Sequence, residues 1–383
     1  MKQLHIFTVF STARAFFNGQ FRYLVEHGHE IILLSSDDPR SGEFAEKNNI
    51  KFVPVQIPRS LSPKAILKAI QEIRAVIKAE KPGAVFGHTP VGALVAMIAA
   101  KIEGVKNRIY YRHGLIYTTM GGGKRLIFKA EERFVSSLST HIINVSNSLS
   151  RLAIKDHLNK EDKQSVIGRG TCGGIDAVNI FNPELISENR LNELRKQYSL
   201  EDSDIVFGFC GRLCNDKGIP ELVEGFNIFK NKHPDIKSKL LLVGGFDERD
   251  HLHTQTKNIM ENDIVMTGYV DKSVIPYYYS LMDVFVFPSH REGLGMCVLE
   301  ASAMEKPILV SHAHGCEDSI IENETGVYID LKPDGIYSGM KQMTNHELRS
   351  ELGKAGREMV LQYYEYRKMW PMVCDLYNTI LKE

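Results

Sequence analysis

The segment GRGTCGGIDAVNIFNP, Gly168–Pro183, interrupts a chain in which short apolar runs alternate with helical periodicity. Its glycines and its proline follow neither a helical nor a strand period, which is typical of a loop. The alternation resumes directly after it. With 383 residues, the chain is also longer than one hydrophobic core usually supports. We therefore interpret this segment as a linker between two domains.

The pattern on both sides of the linker predicts parallel sheets. Apolar runs before it predict seven strands, near Leu4–Val9, Glu30–Leu34, Phe52–Val55, Ala84–Phe86, Arg108–Tyr111, His141–Val145 and Ser165–Ile167. Those after it predict six, near Ile205–Phe209, Leu240–Val243, Ile264–Met266, Val284–Phe287, Ile308–Val310 and Val327–Ile329. Helical stretches lie between them, as in Pro63–Glu80, where isoleucines recur on one face. Strands that alternate with helices predict an α/β fold with two doubly wound domains.

The predicted domain boundaries follow from this alternation. Residues 1–180 are expected to form the first domain and residues 181–362 the second. The segment Tyr363–Leu381 is predicted to be helical, and residues 363–383 are expected to pack back on the first domain. In open α/β sheets, ligands bind outside the carboxyl ends of the strands. Motifs that directly follow a strand are therefore the candidates for a functional site.

Composition is that of an ordinary soluble protein, but the charge is distributed unevenly. Apolar residues make up 43% of the chain and charged residues 25%. The formal net charge is zero, yet residues 1–180 carry a net charge of +10 and residues 181–383 a net charge of −10. A basic half suits an anionic membrane surface or a phosphorylated acceptor. Complementary faces across a cleft, or solvated helices without a partner, would give the same counts.

The sequence predicts a cytoplasmic protein, with peripheral contact to the inner face of the cell membrane as a further hypothesis. No signal peptide is recognisable in the first residues. The longest uncharged apolar run, Val91–Ala100, is far shorter than the ~20 residues of a transmembrane helix. The six cysteines have neither disulfide-framework nor zinc-site spacing. No nucleic-acid partner is expected.

The first candidate motif is GRLCNDKG, Gly211–Gly218, which directly follows a predicted strand. Arg212 and Lys217 lie five residues apart across a turn, and a helix is predicted to begin near Ile219. Two cations beside the N–H groups of a helix terminus suit a diphosphate. A solvated turn would contain the same residues, so this motif alone leaves both interpretations open.

The second candidate motif is EGLGMCVLE, with Glu292 in a glycine-containing loop and Glu300 inside the following helix. A carboxylate beside a diphosphate is repelled unless it accepts hydrogen bonds, and sugar and ribose hydroxyls can donate them. Glu292 then suits a transferred sugar and Glu300 a ribose. The N–H groups of Leu294, Gly295 and Met296 are expected to face the phosphates. The alternative is a pair of ordinary surface glutamates.

In this order, the two motifs resemble the C-terminal donor site of retaining GT-B glycosyltransferases of family 4. The resemblance covers essentially the whole chain, including LLLVG at 240–244 and TGYV at 267–270. It implies a GT-B fold, with two Rossmann-like doubly wound parallel-sheet domains that face a central cleft. It also implies that Gly211, Arg212 and Lys217 hold the diphosphate, and that Tyr269 and Val270 lie near the base.

The same resemblance implies an acceptor side in the first domain. His113, in the stretch YRHG, matches the active-site histidine that contacts the donor sugar near the reacting carbon. The stretch GHTP at 87–90 resembles the family members that build bacterial capsule, O-antigen and related lipid-linked glycans. The candidates for the acceptor side are Ser11, Arg14, His88, Thr89 and Arg112. Ser11 and Arg14 are included because the Gly-Gly loop that many family members have after the first strand is missing here. A lone histidine after a strand could equally be a loop-capping residue.

The implied reaction is transfer of a hexose or N-acetylhexosamine from a nucleoside diphosphate to a polyprenyl-diphosphate-linked or other saccharide, with retention. UDP is favoured over GDP by family frequency. The predicted catalytic residues are His113, Arg212, Lys217 and Glu292. No second carboxylate suits a double displacement, so the family's front-side attack is expected, without a metal or cofactor. The alternatives are a GT-B-fold nucleotide-sugar epimerase and a non-catalytic protein that binds a sugar nucleotide or a glycan.

A basic segment in the first domain adds a surface prediction. Lys124, Arg125 and Arg133 are interleaved with Leu126, Ile127 and Phe134 after three glycines. This pattern is typical of an amphipathic helix that contacts a membrane. A helix that packs on the core with a solvated basic face would have the same pattern.

Overall fold

Backbone contacts divide the chain into two units in the computed structural model, which describes residues 1–58, 62–171, 173–247, 252 and 263–381. The first unit is Met1–Gly174 with Tyr366–Glu383, and the second is Ile175–Glu365. The sequence places the first boundary after residue 180, whereas the contacts divide the chain after Gly174. The N–H of Ile175 donates to the carbonyl of Tyr364 at 2.8 Å, and this hydrogen bond attaches the linker at Ile175 to the second unit.

The sheet of the first unit has seven parallel strands in the order β3-β2-β1-β4-β5-β6-β7. The strands are β1 Lys2–Ile6, β2 Glu30–Ser35, β3 Lys51–Pro54, β4 Ala84–His88, β5 Asn107–Arg112, β6 His141–Asn144 and β7 Gln164–Val166. Each lies where the sequence predicts a strand, within a few residues. These strands are largely buried and read as continuous apolar runs, because helices cover both faces of a parallel sheet.

Eight α-helices of the described chain belong to the first unit. They are α1 Phe10–Phe17, α2 Gln20–Glu26, α3 Ser41–Asn48, α4 Pro63–Glu80, α5 Pro90–Ile102, α6 Gly122–Leu138, α7 Asn147–Lys155 and the C-terminal α14 Tyr366–Ile380. Short 3₁₀ turns cover Ile116–Thr119 and Glu161–Lys163. The predicted face of α4 is confirmed, since Ile70, Ile73 and Ile77 are buried in the core between this helix and the sheet.

The sheet of the second unit has six parallel strands in the order β10-β9-β8-β11-β12-β13. The strands are β8 Ile205–Cys210, β9 Ser238–Val243, β10 Ile264–Gly268, β11 Val284–Phe287, β12 Ile308–Ser311 and β13 Gly326–Ile329. The described helices are α8 Glu188–Gln197, α9 Ile219–Lys232, α10 Ile275–Ser280, α11 Met296–Ala303, α12 Pro333–Gln342 and α13 His346–Tyr363, with 3₁₀ turns at Pro183–Leu185, Asn215–Lys217 and Lys272–Val274. The predicted fold class, two doubly wound α/β domains, is confirmed.

The C-terminal helix is shorter than predicted. The sequence predicts one helix from Tyr363, but α13 ends at Tyr363 and α14 begins at Tyr366. The break occurs because Glu365 turns inward, where its carboxylate accepts a hydrogen bond of 2.9 Å from the N–H of Ala177. Hydrophobic periodicity cannot predict this long-range contact.

The strand order gives each sheet one topological switch point, where consecutive connections leave in opposite directions. It lies between β1 and β4 in the first sheet and between β8 and β11 in the second. Loops at the carboxyl ends of these strand pairs diverge and leave a crevice, which is where doubly wound folds bind ligands. No helix in the described part of the chain is long and apolar enough to cross a membrane.

Candidate functional site

Two loops meet at the switch point of the second sheet. The loop after β8 contains Gly211–Gly218, and the loop after β11 contains Glu292. They touch at Gly218, whose φ is +68° and where a Cβ atom would lie 2.0 Å from the carbonyl oxygen of Pro288. Only glycine permits this backbone contact. The predicted helix start is confirmed, because α9 begins at Ile219.

Lys217 and Glu292 form an ion pair across these loops. Their side chains are 16% and 15% exposed. The ammonium also lies 5.4 Å from the ring centre of Phe287, at the end of β11. Burial disfavours the charged ammonium, but the charge and hydrogen bond of Glu292 outweigh burial and raise the pKa of Lys217. Lys217 therefore stays charged at neutral pH and in position beside the loop.

Arg212 lies on the solvent side of the same site. Its side chain is 58% exposed and forms an ion pair with Asp247, in the segment after β9. The preceding Gly211 anchors the loop, since its N–H donates to the carbonyl of Val243 at 2.9 Å. Both predicted cations are thus held by carboxylates at the carboxyl ends of neighbouring strands. An anionic ligand that displaced these carboxylates would find the two cations already placed.

Glu300 is fixed from within the second unit. It lies on α11, as predicted, and its carboxylate accepts a hydrogen bond of 2.9 Å from the hydroxyl of Tyr279 on α10. Burial raises the pKa of Glu300, and the charge of Lys272 and the hydrogen bond from Tyr279 offset this only in part. The carboxylate is a strong acceptor whose remaining lone pairs can bind ligand hydroxyls.

The loop between Glu292 and α11 differs from the prediction for its N–H groups. The N–H of Gly295 donates to the carbonyl of Gly315 at 3.3 Å, and that of Met296 to the carbonyl of Leu294 at 2.7 Å. These two amides are therefore engaged within the protein, because the loop packs against the segment after β12. That packing requires glycine at Gly315, where φ is +83° and a Cβ would lie 2.4 Å from the carbonyl oxygen of Glu292.

Tyr269 and Val270 follow β10 at the same edge of the sheet. The ring of Tyr269 is 82% exposed, which is unusual for a large aromatic side chain. Val270 is exposed in part. An exposed ring beside this edge can stack on a planar ligand group.

The sequence interpretation missed two residues of this site. Asp247 pairs with Arg212, and Tyr279 orients Glu300. The sequence offers a signal for Asp247, because it lies two residues after a pair of glycines that directly follows a predicted strand. Tyr279 had none, since it is one of three consecutive tyrosines and only the packing of α10 selects it.

At the first sheet, His113 directly follows β5. Its ring stacks on Tyr111 at 4.9 Å and on Phe16 of α1 at 5.7 Å. Its Nε2 lies 3.1 Å from Nδ1 of His88, and its Nδ1 is buried without a protein partner. Burial lowers the pKa of His113 to about 3, so the ring is neutral at physiological pH. A neutral ring with one nitrogen that lacks a hydrogen-bond partner can bind a polar ligand group but cannot supply a positive charge.

Two of the predicted acceptor-side residues, Arg112 and His88, are fully buried. Arg112 is fully buried, and its guanidinium donates to Asn144, Asn159 and Ser136 at 2.8–3.1 Å beside the carboxylate of Glu132. These contacts hold its guanidinium within the first unit. His88 is also fully buried, at the end of β4. Its ring stacks on Phe7 at 3.9 Å, and its Nδ1 lies 3.1 Å from Nε2 of His113.

Thr89 lies at the switch point between β1 and β4. Its hydroxyl lies 2.7 Å from that of Thr8, and the hydroxyl of Thr8 accepts from the N–H of Gly92 at 3.0 Å. The backbone of Thr89 has φ +64° and ψ 154°, a conformation that costs about 1–3 kcal/mol outside glycine. Such strain is typical of functional loops. On α1 nearby, Ser11 is exposed and Arg14 is partly exposed.

Comparison with known proteins defines the class. Residues 191–359 match the model of glycosyl transferases group 1, and residues 5–147 match that of glycosyl transferase 4-like proteins. The capsular polysaccharide biosynthesis glycosyltransferase CapM of Staphylococcus aureus is 32% identical over 392 residues, which cover 100% of this chain and 98% of CapM. An Escherichia coli UDP-Gal:alpha-D-GlcNAc-diphosphoundecaprenol alpha-1,3-galactosyltransferase is 25% identical over 365 residues, 94% of this chain and 91% of that protein.

The solved structures agree on the fold. Anabaena HepE in complex with UDP has a TM-score of 0.78 at 16% identity, with 99% of this chain and 100% of that one covered. Two doubly wound domains of this kind are the GT-B fold, as the sequence predicts. The chain belongs to the group 1, family-4-like glycosyltransferases. It is therefore a sugar-transferring enzyme, which confirms the enzyme prediction.

Proposed function

We propose that the chain transfers a hexose or N-acetylhexosamine from a UDP-sugar, with retention, to a polyprenyl-diphosphate-linked saccharide in surface polysaccharide synthesis. The observation that carries this proposal is the Lys217–Glu292 ion pair at the switch point between β8 and β11, with Arg212 and Glu300 at the same strand ends. These four side chains match in kind four of the five parts of a nucleotide sugar, namely the two phosphates, the sugar and the ribose.

The two cations suit the diphosphate. Arg212 and Lys217 are each paired with a carboxylate, and phosphate oxygens are stronger competitors for guanidinium and ammonium groups. Exchange of Glu292 for phosphate on Lys217 frees the Glu292 carboxylate to accept hydrogen bonds from the donor sugar. The Lys217–Glu292 pair thus holds one proposed ligand of the diphosphate and the proposed ligand of the donor sugar together without net charge.

The nucleoside suits the remaining residues. Glu300, oriented by Tyr279, offers lone pairs to the ribose hydroxyls. Tyr269 offers an exposed ring to the base. Uracil is proposed because the E. coli relative is named for UDP-Gal and HepE was solved with UDP.

The chemistry rests on electrostatic stabilisation of the leaving group. In the proposed front-side attack, the acceptor oxygen bonds to the anomeric carbon on the face from which the phosphate departs. The bond from that carbon to the UDP oxygen breaks, and the departing phosphate takes the acceptor's proton. Arg212 and Lys217 stabilise the charge that develops on this phosphate, so no bound metal is needed in the proposed mechanism.

The acceptor class is proposed from the relatives and from one surface. CapM is named for capsule biosynthesis, and the E. coli relative for a diphosphoundecaprenol-linked acceptor. On α6, Leu126, Ile127 and Phe134 are exposed beside the exposed Lys124 and Arg125. An apolar stripe flanked by cations suits peripheral contact with an anionic membrane, where a polyprenyl-linked acceptor is found.

The test is a product assay with defined substrates. The purified protein is incubated with UDP-glucose, UDP-galactose, UDP-GlcNAc, UDP-GalNAc or GDP-mannose and a short-chain polyprenyl-diphosphate-linked saccharide, with and without EDTA. Mass spectrometry reports the added sugar, and proton couplings of the product report the anomeric configuration. The proposal expects an α-linked product from one UDP-sugar in both metal conditions. A β-linked product, or transfer from GDP-mannose only, would contradict it.

A further inference from the structure

A row of hydrogen-bonded polar side chains crosses the interior of the first unit and ends at His113. Oε1 of Gln3 lies 3.1 Å from Nε2 of His5. Nδ1 of His5 lies 3.1 Å from Nε2 of His88, and Nδ1 of His88 lies 3.1 Å from Nε2 of His113. Gln3, His5 and His88 are all fully buried. Burying a polar group costs free energy unless the group is hydrogen-bonded. A continuous buried row of polar side chains is therefore more consistent with a functional role than with core packing alone.

The sheet holds the row in line. Gln3 and His5 lie two residues apart on β1 and so share one face of the strand. His88 ends the neighbouring β4, and His113 follows β5, the next strand of the sheet. Aromatic rings clamp the imidazoles, with His5 stacked on Phe86 at 4.3 Å. Each ring therefore has one orientation, and its nitrogens point along the row.

The row has a direction, because each neutral imidazole carries a single N–H. An amide oxygen only accepts, so Gln3 requires the proton of His5 on Nε2, which leaves Nδ1 of His5 as an acceptor. His88 must then donate from Nε2 and accept at Nδ1, and His113 must donate from Nε2. Burial lowers the pKa of His5 to about 3 and that of His88 well below its usual value, in agreement with neutral rings.

The row continues beyond the amide of Gln3 to His29 and Cys374. Nε2 of Gln3 lies 2.6 Å from Nδ1 of His29, and Nε2 of His29 lies 3.6 Å from Sγ of Cys374 on α14. In the amide orientation of the structure, Nε2 of Gln3 donates to Nδ1 of His29, and the direction of the row follows from that orientation. The reverse amide orientation would invert every donor and place the proton of His113 on Nδ1.

We propose that Gln3, His5 and His88 are positioning residues that hold His113 in the Nε2–H tautomer, so that its buried, unpartnered Nδ1 accepts a hydrogen bond from a hydroxyl of the bound sugar. The assignment of a sugar as the ligand rests on the proposed function. The tautomer itself does not, because it is a property of the ligand-free protein. Gln3 thereby acts on His113 through the two intervening rings of His5 and His88.

The test combines a spectroscopic and a kinetic measurement. Protein with ¹⁵N-labelled histidine is studied at pH 7.5 by long-range ¹H–¹⁵N correlation, which distinguishes a protonated ring nitrogen from a bare one. The signals of His113 are assigned by their loss in His113→Gln. The proposal expects Nε2 protonated and Nδ1 bare in the wild-type protein. A proton on Nδ1, or a charged ring, in the wild-type protein would overturn it.

Two substitutions of Gln3 complete the test. Gln3→Leu removes the acceptor for His5, so His113 should become a mixture of tautomers and kcat/KM should fall about tenfold, the value of one hydrogen bond. Gln3→Glu keeps an oxygen acceptor and should restore both the single tautomer and the activity. An unchanged tautomer in folded Gln3→Leu would overturn the proposal. A confirmed tautomer in a protein that transfers no sugar would instead contradict the proposed function alone.

Discussion

The ammonium of Lys217 and the carboxylate of Glu292 are paired where the loops after β8 and β11 meet, with both side chains about 15% exposed. The pair joins two segments 75 residues apart in the sequence. It therefore keeps a cation and an acceptor at the switch point without leaving either charge unbalanced in the ligand-free protein. Removing one partner leaves the other as an unpaired and mostly buried charge, which is costly.

A double-mutant cycle should reveal this coupling. Lys217→Ala and Glu292→Ala are each expected to lower the free energy of unfolding by about 3 kcal/mol. The double variant should lose about 1–3 kcal/mol less than the two single losses together, because neither charge is then left alone. Urea unfolding measures all three. The exposed pair Lys237–Glu201 is the matched control and should show no measurable coupling. Strict additivity at Lys217 and Glu292 would argue against a buried pair.

Tyr279 should control the pH dependence of donor binding through Glu300. Burial raises the pKa of Glu300, so donor affinity should fall as the pH decreases and the carboxylate is protonated. Tyr279→Phe removes a hydrogen bond that stabilises the charged form, and the fall should then begin at higher pH. Donor KM measured between pH 5 and 8 tests this. Tyr278→Phe, on the same helix but bonded to Tyr198, should leave the profile unchanged. A shift of equal size in both variants would mean that Tyr279 acts only through general packing.

The buried histidines should make the protein sensitive to acid. Burial lowers the pKa of His5 and His113 from an ordinary value of 6.5 to about 3, and it also lowers the pKa of His88 well below that ordinary value. The unfolded chain takes up these protons below about pH 6.5 while the folded protein does not, so stability should fall as the pH decreases from 6.5. His290, whose pKa is raised by Glu221, opposes this trend but is partly exposed and contributes less. Urea unfolding at pH 7.5, 6.5 and 5.5 is the measurement, and equal stability at the three values would be inconsistent with neutral buried rings.

The apolar stripe on α6 should mediate membrane contact. Ile127→Ser with Phe134→Ser is expected to reduce binding to vesicles that contain phosphatidylglycerol, because apolar area and nearby cations act together at an anionic surface. Co-sedimentation at low and high salt measures binding. Leu67→Ser is the matched control, since Leu67 is similarly exposed on another basic helix, α4. An equal loss in the control, or no vesicle binding by the wild-type protein at low salt, would contradict the proposed membrane contact of α6.

Most of the architecture could be predicted because parallel strands are buried on both faces and read as continuous apolar runs. Ala84–His88 and Val284–Phe287 are examples, and each lies within two residues of its predicted bounds. The end of α13 could not be predicted, because Glu365 is turned inward by a contact with Ala177 almost 190 residues away. Local periodicity carries no information on such a contact.

The candidate site likewise contains residues that the sequence could indicate and residues that only the packing between elements selects. Arg212, Lys217, Glu292 and Glu300 follow strands in recognisable motifs, so the sequence could indicate them. The residues that hold them in place, Asp247 and Tyr279, are selected by packing between elements. In the first unit, the sequence could not separate the side chain that faces a ligand from those that support it. His113 keeps an open nitrogen, whereas Arg112 and His88 are fully buried.

The most direct measurement is calorimetric titration of the wild-type protein and of Arg212→Ala with UDP and with GDP. The Arg212 guanidinium is mostly exposed, so its removal should leave the fold intact while a charge-assisted contact to the diphosphate is lost. We expect UDP to bind, GDP to bind at least tenfold more weakly, and Arg212→Ala to weaken UDP binding about tenfold to a hundredfold. Arg190→Ala, which removes an exposed, ion-paired arginine on α8, should bind UDP like the wild-type protein. Undiminished UDP affinity in Arg212→Ala, or no UDP binding by the wild-type protein, would contradict the assignment of the donor site.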